Sequence, residues 1–428
     1  MRTRLLLLCV AGLILVATSG SWAGTWPQWR GPKNDGLSPA TGVPVEWGPE
    51  KNVLWKLRLP GQGESTPCIW EDQIFLTSTA DNDVVLLCVG TDGKERWRRA
   101  ISHSGSVRYR NPSGVPITNA AASPSTDGKH VWAFVGDGTL ACYSVTGDLV
   151  WRKDLQKEYG RFRIQFGTHW TPVLYKDMLY LQIMHRGAQL LVALEAQTGR
   201  EKWKVERPGY GRGESPDTYA SAAIWEGEGG PLLVAHGNDY CTGHRLEDGA
   251  EVWRVMGLNP RERQDWRFVS SPLLSPDLIV VPSCKDGPTV AFNPVGARGK
   301  IDAGHPAELW RLPASTTFRT PDVVSPVRVG EIVYLAGDGP LHAVDAKTGK
   351  LLYRADLTKS IHRSNLVAAE GRIYVVAANG VTDVVSAGPT FKKLATNKLP
   401  DTFYATPAIA DGRIYLRGFD YLWAIGNQ

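Results

Sequence analysis

The chain has 428 residues, 48 Lys and Arg against 43 Asp and Glu, and a net charge of +5 at pH 7. That balance selects no partner by bulk charge and gives no reason to expect nucleic acid. No stretch carries a sustained helical period, so the chain reads as all-β.

Residues 1–23 read as a secretory signal. Arg2 and Arg4 precede an apolar run from Leu5 to Val16, and Ser21-Trp22-Ala23 fits a cleavage site. The run is short for a spanning helix, which needs about 20 residues. The mature protein is therefore expected to be exported, periplasmic or secreted, without a transmembrane anchor. Cys68, Cys88, Cys142, Cys241 and Cys284 remain after the leader. An odd, irregularly spaced set reads as small buried apolar residues, not as a disulfide framework. Residues 24–49, with Trp26-Pro27-Gln28-Trp29-Arg30-Gly31-Pro32, read as an irregular arm lying on the body, and residues 50–428 as one domain.

A repeat organises that domain. Gly93…Trp97, Gly147…Trp151, Gly199…Trp203, Gly249…Trp253 and Gly349…Tyr353 share one spacing, with Asp or Thr before each Gly. Gly supplies the positive φ of a tight turn, and the aromatic stands on the strand that leaves it. The next residue is basic: Lys56, Arg98, Arg152, Lys204, Arg254, Arg311 and Arg354. Strand alternation puts aromatic and cation on opposite faces, as on an outer strand whose charges guard a sheet edge. Ser or Thr before Pro opens an apolar run at Thr66, Ser123, Thr171, Ser271, Ser325 and Thr406, with Ser221 and Ser364 in degenerate copies. Pro is tolerated at a strand's first residue.

Opening strands near 66, 123, 171, 221, 271, 325, 364 and 406 give eight units of four antiparallel strands. Outer strands carry Trp55, Trp97, Trp151, Trp203, Trp253, Trp310, Tyr353 and Leu394. The fifth unit holds an insertion, Pro294 to Pro306. The last unit lacks an outer strand, and residues 52–59 form a spare one. Pairing the two closes an eight-bladed β-propeller and removes two open edges. The axis shared by the blades is then the expected place for a guest.

Ala343-Val344-Asp345-Ala346-Lys347-Thr348-Gly349-Lys350, with Ala193 to Trp203, resembles the tryptophan-docking repeat of the pyrroloquinoline quinone (PQQ) family. The resemblance spans residues 52 to 425 and implies the eight-bladed fold. The family holds PQQ-dependent dehydrogenases and PQQ-like proteins that bind no cofactor, such as the assembly lipoprotein BamB. Features of the dehydrogenases are missing: no two cysteines are adjacent, no Cys-x-x-Cys-His occurs, and no calcium-ligating Glu, Asn and Asp set aligns. The acylated Cys of BamB is missing too.

Inter-blade loops lie on one face, with the hairpins joining second to third strands; the Thr-Gly turns lie on the other. The loops concentrate positive charge and aromatic rings. The candidate ligand-binding residues are Arg108, Arg110, Arg161, Arg163, His169, Trp170, Arg212, Arg263, Trp266, Arg267, Arg319 and Arg363. Arginine forks suit carboxylates and phosphates, and rings stack on planar groups. The competing reading has these arginines pair with neighbouring acids and fasten blade to blade. His169-Trp170 lines the channel mouth or packs as a buried pair. Cys241 and His244 resemble half a zinc site, but a spacing of three on a strand points them apart.

The sequence thus points to an exported, non-catalytic binding or scaffold propeller, with no cofactor and no catalytic or metal residues assigned. Its partner would be a protein, or a small anionic or glycan ligand, of the cell envelope. The alternatives are a PQQ- and calcium-dependent dehydrogenase and a carbohydrate- or envelope-binding module.

Overall fold

The computed structural model describes residues 22–104, 109–110, 116–315 and 317–428. The expected leader, apart from its last two residues, and Arg108 lie outside them. Among the described residues no helix is long and apolar enough to cross a membrane.

Among the described residues eight blades of four antiparallel strands stand in sequence order, and a fifth strand is added to blades 1, 4 and 7. Inner strands are Cys68–Trp70, Ser125–Thr126, Val173–Tyr175, Ala223–Trp225, Leu273–Ser275, Val327–Val329, Val367–Ala369 and Ala408–Ala410, defining blades 1 to 8. The outer strand of blade 8 is Val53–Arg58, paired antiparallel with Tyr421–Ile425. The α-helix Leu155–Tyr159, capped by Asp154, follows blade 2, and a short ribbon pairs Tyr109–Arg110 with Pro116–Ile117.

Each repeat residue has a physical task. The indole N–H groups of Trp55, Trp97, Trp151, Trp203 and Trp310 donate to the next blade, at Thr91, Val145, Ala196, Leu246 and Ala346 carbonyls, over 2.8–2.9 Å. The turn glycine of that blade lies under the ring. Gly199 has φ +68°, and a Cβ there would meet Trp151 at 3.0 Å. One glycine answers both a left-handed turn and a docked indole.

The Ser/Thr that opens each blade also has a partner. The backbone N–H of Thr66 donates to Ser123 Oγ, Ser123 to Thr171 Oγ1, Thr171 to Ser221 Oγ, and Ser221 to Ser271 Oγ. Ser271 donates to Ser325 Oγ, Ser325 to Asn365 Oδ1, Asn365 to Thr406 Oγ1, and Thr406 back to Thr66 Oγ1. Eight buried hydrogen bonds of 2.7–3.2 Å thus form a closed circuit among the inner strands. In blade 7 the link belongs to Asn365; Ser364 instead donates to Ala405 O.

Blade 5 interrupts the docking series. Its insertion replaces the Gly turn, and the buried Trp253 indole N–H has no partner. That ring packs edge-on to Phe292 at 4.9 Å and over Gly243, where a Cβ would sit 2.3 Å from it. Within the insertion, Gly299–Ile301 turns back and pairs parallel with Glu251–Val255, covering the outer edge of blade 4. Arg254 is therefore half-buried and is not a free edge charge.

The arm does not merely lie on the body. Thr25–Trp26 pairs with the inner strand of blade 1, and Leu37–Ser38 with that of blade 7. Pro27 O accepts from Thr126 N–H of blade 2, and Ser38 Oγ donates to Ile409 O of blade 8. Arg30, 1% exposed, donates to Pro326 O beside the inner strand of blade 6. Inner strands ring the axis, so residues 25–38 plug it. The axis expected to receive a guest is filled here by the chain's own arm.

Candidate functional site

With the arm in the channel, the chemistry gathers on the inter-blade-loop face. The loops after blades 2, 3 and 4 are tied together. Gln165 N–H donates to Asp217 Oδ2 at 3.2 Å, and Phe166 N–H to the Tyr219 hydroxyl at 3.1 Å. The Arg267 guanidinium lies 4.7 Å over the Phe166 ring and bonds Glu214 at 2.9 Å. Arg186 pairs with the buried Asp217 at 3.2 Å. Burial pushes the Asp217 carboxyl up, and Arg186 opposes this. Such pairs hold neighbouring loops in register.

A cleft of about 330 Å³ opens on the same face at blades 5 to 7. Lys285, Arg319 and Arg363 line it beside Asp286, Asp322 and Asp338, with His342 and His362. Lys285 is engaged by Asp265 at 3.1 Å and Arg363 by Asp338 at 3.1 Å. The buried Cys284 thiol donates to Asp322 Oδ1 at 3.2 Å. Burial lowers the pKa of both histidines, which favours neutral imidazoles.

The two sequence readings of the arginines divide between residues. Arg263 pairs with Asp265, whose carboxyl it holds below the usual range, Arg267 with Glu214, and Arg363 with Asp338. Among the described residues, Arg161, Arg163, Arg212 and Arg319 are exposed and form no ion pair. Arg110 stands on the short ribbon.

Trp170 and Trp266 require correction as ligand-binding surface. Trp170 is 2% exposed and stacks on Phe134 at 4.3 Å. Trp266 is 1% exposed and lies under Gly287, where a Cβ would stand 2.7 Å from its ring. Both indoles fill core space between blades, where a large apolar ring is most stabilising. His169 is half-buried, its ring nitrogen 2.8 Å from Phe166 O, and burial lowers its pKa. It supports the Phe166 loop.

Sequence reasoning passed over Tyr210, the most exposed large apolar side chain among the described residues at 64%. It stands in Gly209-Tyr210-Gly211-Arg212-Gly213 after blade 3. The alternation of glycine with larger residues was the available signal.

Among the described residues no three or more His, Cys, Asp or Glu side chains converge to hold a metal ion. Trp26 and Arg30 of the arm are buried beside the inner strands of blades 1 and 6.

The family described as outer membrane protein assembly factor BamB matches residues 85–293 and 297–388. No curated protein sequence matches the chain. Solved structures share the architecture. BamB from Moraxella catarrhalis superposes with a TM-score of 0.61 at 13% identity, over 88% of this chain and 97% of that one. A europium-containing methanol dehydrogenase gives 0.66 at 12%, over 94% and 91%. Quinohemoprotein alcohol dehydrogenase from Comamonas testosteroni gives 0.70 at 12%, over 96% and 82%. At these identities the likeness concerns the fold alone.

Proposed function

The chain belongs to the family described as outer membrane protein assembly factor BamB, and from that premise we propose that it is an exported, non-catalytic propeller of the cell envelope, periplasmic or secreted, that binds a partner protein on its inter-blade-loop face. The observation that carries this reading is the set of unpaired arginines, Arg161, Arg163, Arg212 and Arg319, on a face where Arg186, Arg263, Arg267 and Arg363 are paired with carboxylates. Unpaired guanidinium groups held on tied loops favour ligands that bring carboxylates or phosphates. The arm crossing the axis supports a binding role over a quinone enzyme.

Two measurements test this. Capture from envelope extract with the wild-type protein is expected to give a partner that is lost when Arg161, Arg163, Arg212 and Arg319 are all changed to Ala. Identical capture by both forms refutes the assignment to this face. Titration with PQQ and calcium, followed by absorbance, is expected to show no saturable binding. Saturation at micromolar PQQ overturns the non-catalytic reading.

A further inference from the structure

The loop from blade 3 to blade 4 is held more tightly than a connection requires. Arg207, 1% exposed, anchors its base. Its guanidinium stacks on the Tyr240 ring at 3.8 Å. It donates to Thr242 Oγ1 at 2.7 Å, Gly237 O at 3.0 Å and Tyr240 O at 2.7 Å. The Tyr240 hydroxyl donates back to the carbonyls of Arg207 and Pro208. The loop then descends onto blade 4 through its glycines. A Cβ on Gly209 would lie 2.0 Å from Asn238 Nδ2, and one on Gly211 2.5 Å from Asn238 Oδ1. One on Gly213 would lie 2.4 Å from Gln264 O. Gly211 N–H donates to Asn238 Oδ1 at 2.9 Å. No side chain fits at these three positions, and the residues between them, Tyr210 and Arg212, stand exposed.

A tyrosine and an arginine presented on an already ordered backbone pay less ordering cost on association, and such residues are enriched among interface anchors. Their surroundings set the partner's charge. Glu214, Asp217 and Asp265 are engaged by Arg267, Arg186 and Arg263. That leaves Arg161, Arg163, Arg212 and Arg261 exposed without ion pairs, against Glu262 and against Asp239, which lies under Gly211 and accepts from Asn259. The bonds from Gln165 and Phe166 to Asp217 and Tyr219 make these loops one continuous surface.

We infer that Tyr210 and Arg212 are the anchor pair of a docking surface for an acidic, extended peptide segment of a partner protein. Its carboxylates meet Arg212, Arg161 and Arg163, and an apolar side chain lies against Tyr210. This rests on the binding-propeller reading and names its partner's chemistry.

The test is fluorescence anisotropy with a labelled peptide of glutamates around a single Phe. Saturable binding that weakens with added salt is expected. Tyr210→Ala and Arg212→Gln should each weaken it by about tenfold or more, as substitutions at interface anchors do. Gly211→Ala should weaken it, because the added Cβ lifts the loop off Asn238 and Ser215. Lys350→Gln, beside the Thr348-Gly349 turn on the opposite face, should leave it unchanged. Equal affinity for the wild type, Tyr210→Ala and Arg212→Gln overturns the anchor pair. Absence of peptide binding while envelope capture still depends on the arginines overturns the acidic-segment chemistry and leaves the broader reading standing. Failure of capture by the wild type brings the broader reading down. Retention by phosphatidylglycerol vesicles with the same Arg212 dependence, in place of peptide binding, makes the surface a lipid site and refutes the inference.

Discussion

Thr171→Val isolates the inter-blade hydrogen-bond circuit. Valine keeps the shape of threonine and replaces its hydroxyl with a methyl. Thr171 Oγ1 accepts from Ser123 N–H at 3.1 Å, and both residues are buried. Valine therefore leaves a buried N–H without an acceptor, at a cost of about 1–3 kcal/mol. Thr171→Ser keeps the acceptor and loses one methyl, about 0.8 kcal/mol of burial. Packing alone predicts the reverse order, with Val near neutral and Ser the worse. Urea unfolding followed by tryptophan fluorescence reads both variants against the wild type, with unchanged slopes required for the comparison. A Val variant more stable than the Ser variant would refute the view that the circuit, and not side-chain packing, holds the inner strands together.

Other outcomes follow from single residues. Gly199→Ala should cost about 1–2 kcal/mol, the penalty of a left-handed backbone for an L-residue, and should weaken the near-ultraviolet dichroism of the docked Trp151. Arg30→Ala should leave Pro326 O without its donor, loosening the plug by about 1–3 kcal/mol. Limited proteolysis should then cut within residues 25–38 faster than in the wild type. Burial lifts the Glu64 carboxyl from the usual 4.5 to about 7, against the pull of Arg417 and the Thr118 hydroxyl. The folded state then holds a proton that the unfolded state has released, so this group's contribution to stability falls as pH rises from 4.5 through 7. Glu64→Gln should gain stability relative to the wild type between pH 5 and pH 8. A constant difference across that range would contradict the assigned burial. Terminal sequencing of the exported protein should begin at Gly24, as the Ser21-Trp22-Ala23 site implies.

Much of the ring was legible in the chain because its determinants are local and repeated. A turn glycine four residues before an aromatic, a Ser/Thr-Pro at each opening strand and a spare strand at the start specify blades, their number and their order. The purpose of those residues was less visible. The opening side chains accept from the preceding blade, about 40 to 57 positions away in sequence and 340 at the closing link, and no local pattern states that partner. The glycines of 209, 211 and 213 were visible as residues, but their closeness to Asn238 and Gln264 exists only once blade 4 is folded.

By itself, the sequence determined the repeat, and with it an all-β propeller of eight blades and a face rich in arginine. Periodicity, turn chemistry and strand alternation act over a few residues, so they are written in order along the chain. Only the tertiary structure decided which arginines are spent on Asp265, Glu214 and Asp338 and which stand free. It alone placed Trp170 and Trp266 in the core and threaded Arg30 into the channel. Those outcomes depend on which distant loops meet, and side-chain burial and charge pairing are properties of that meeting.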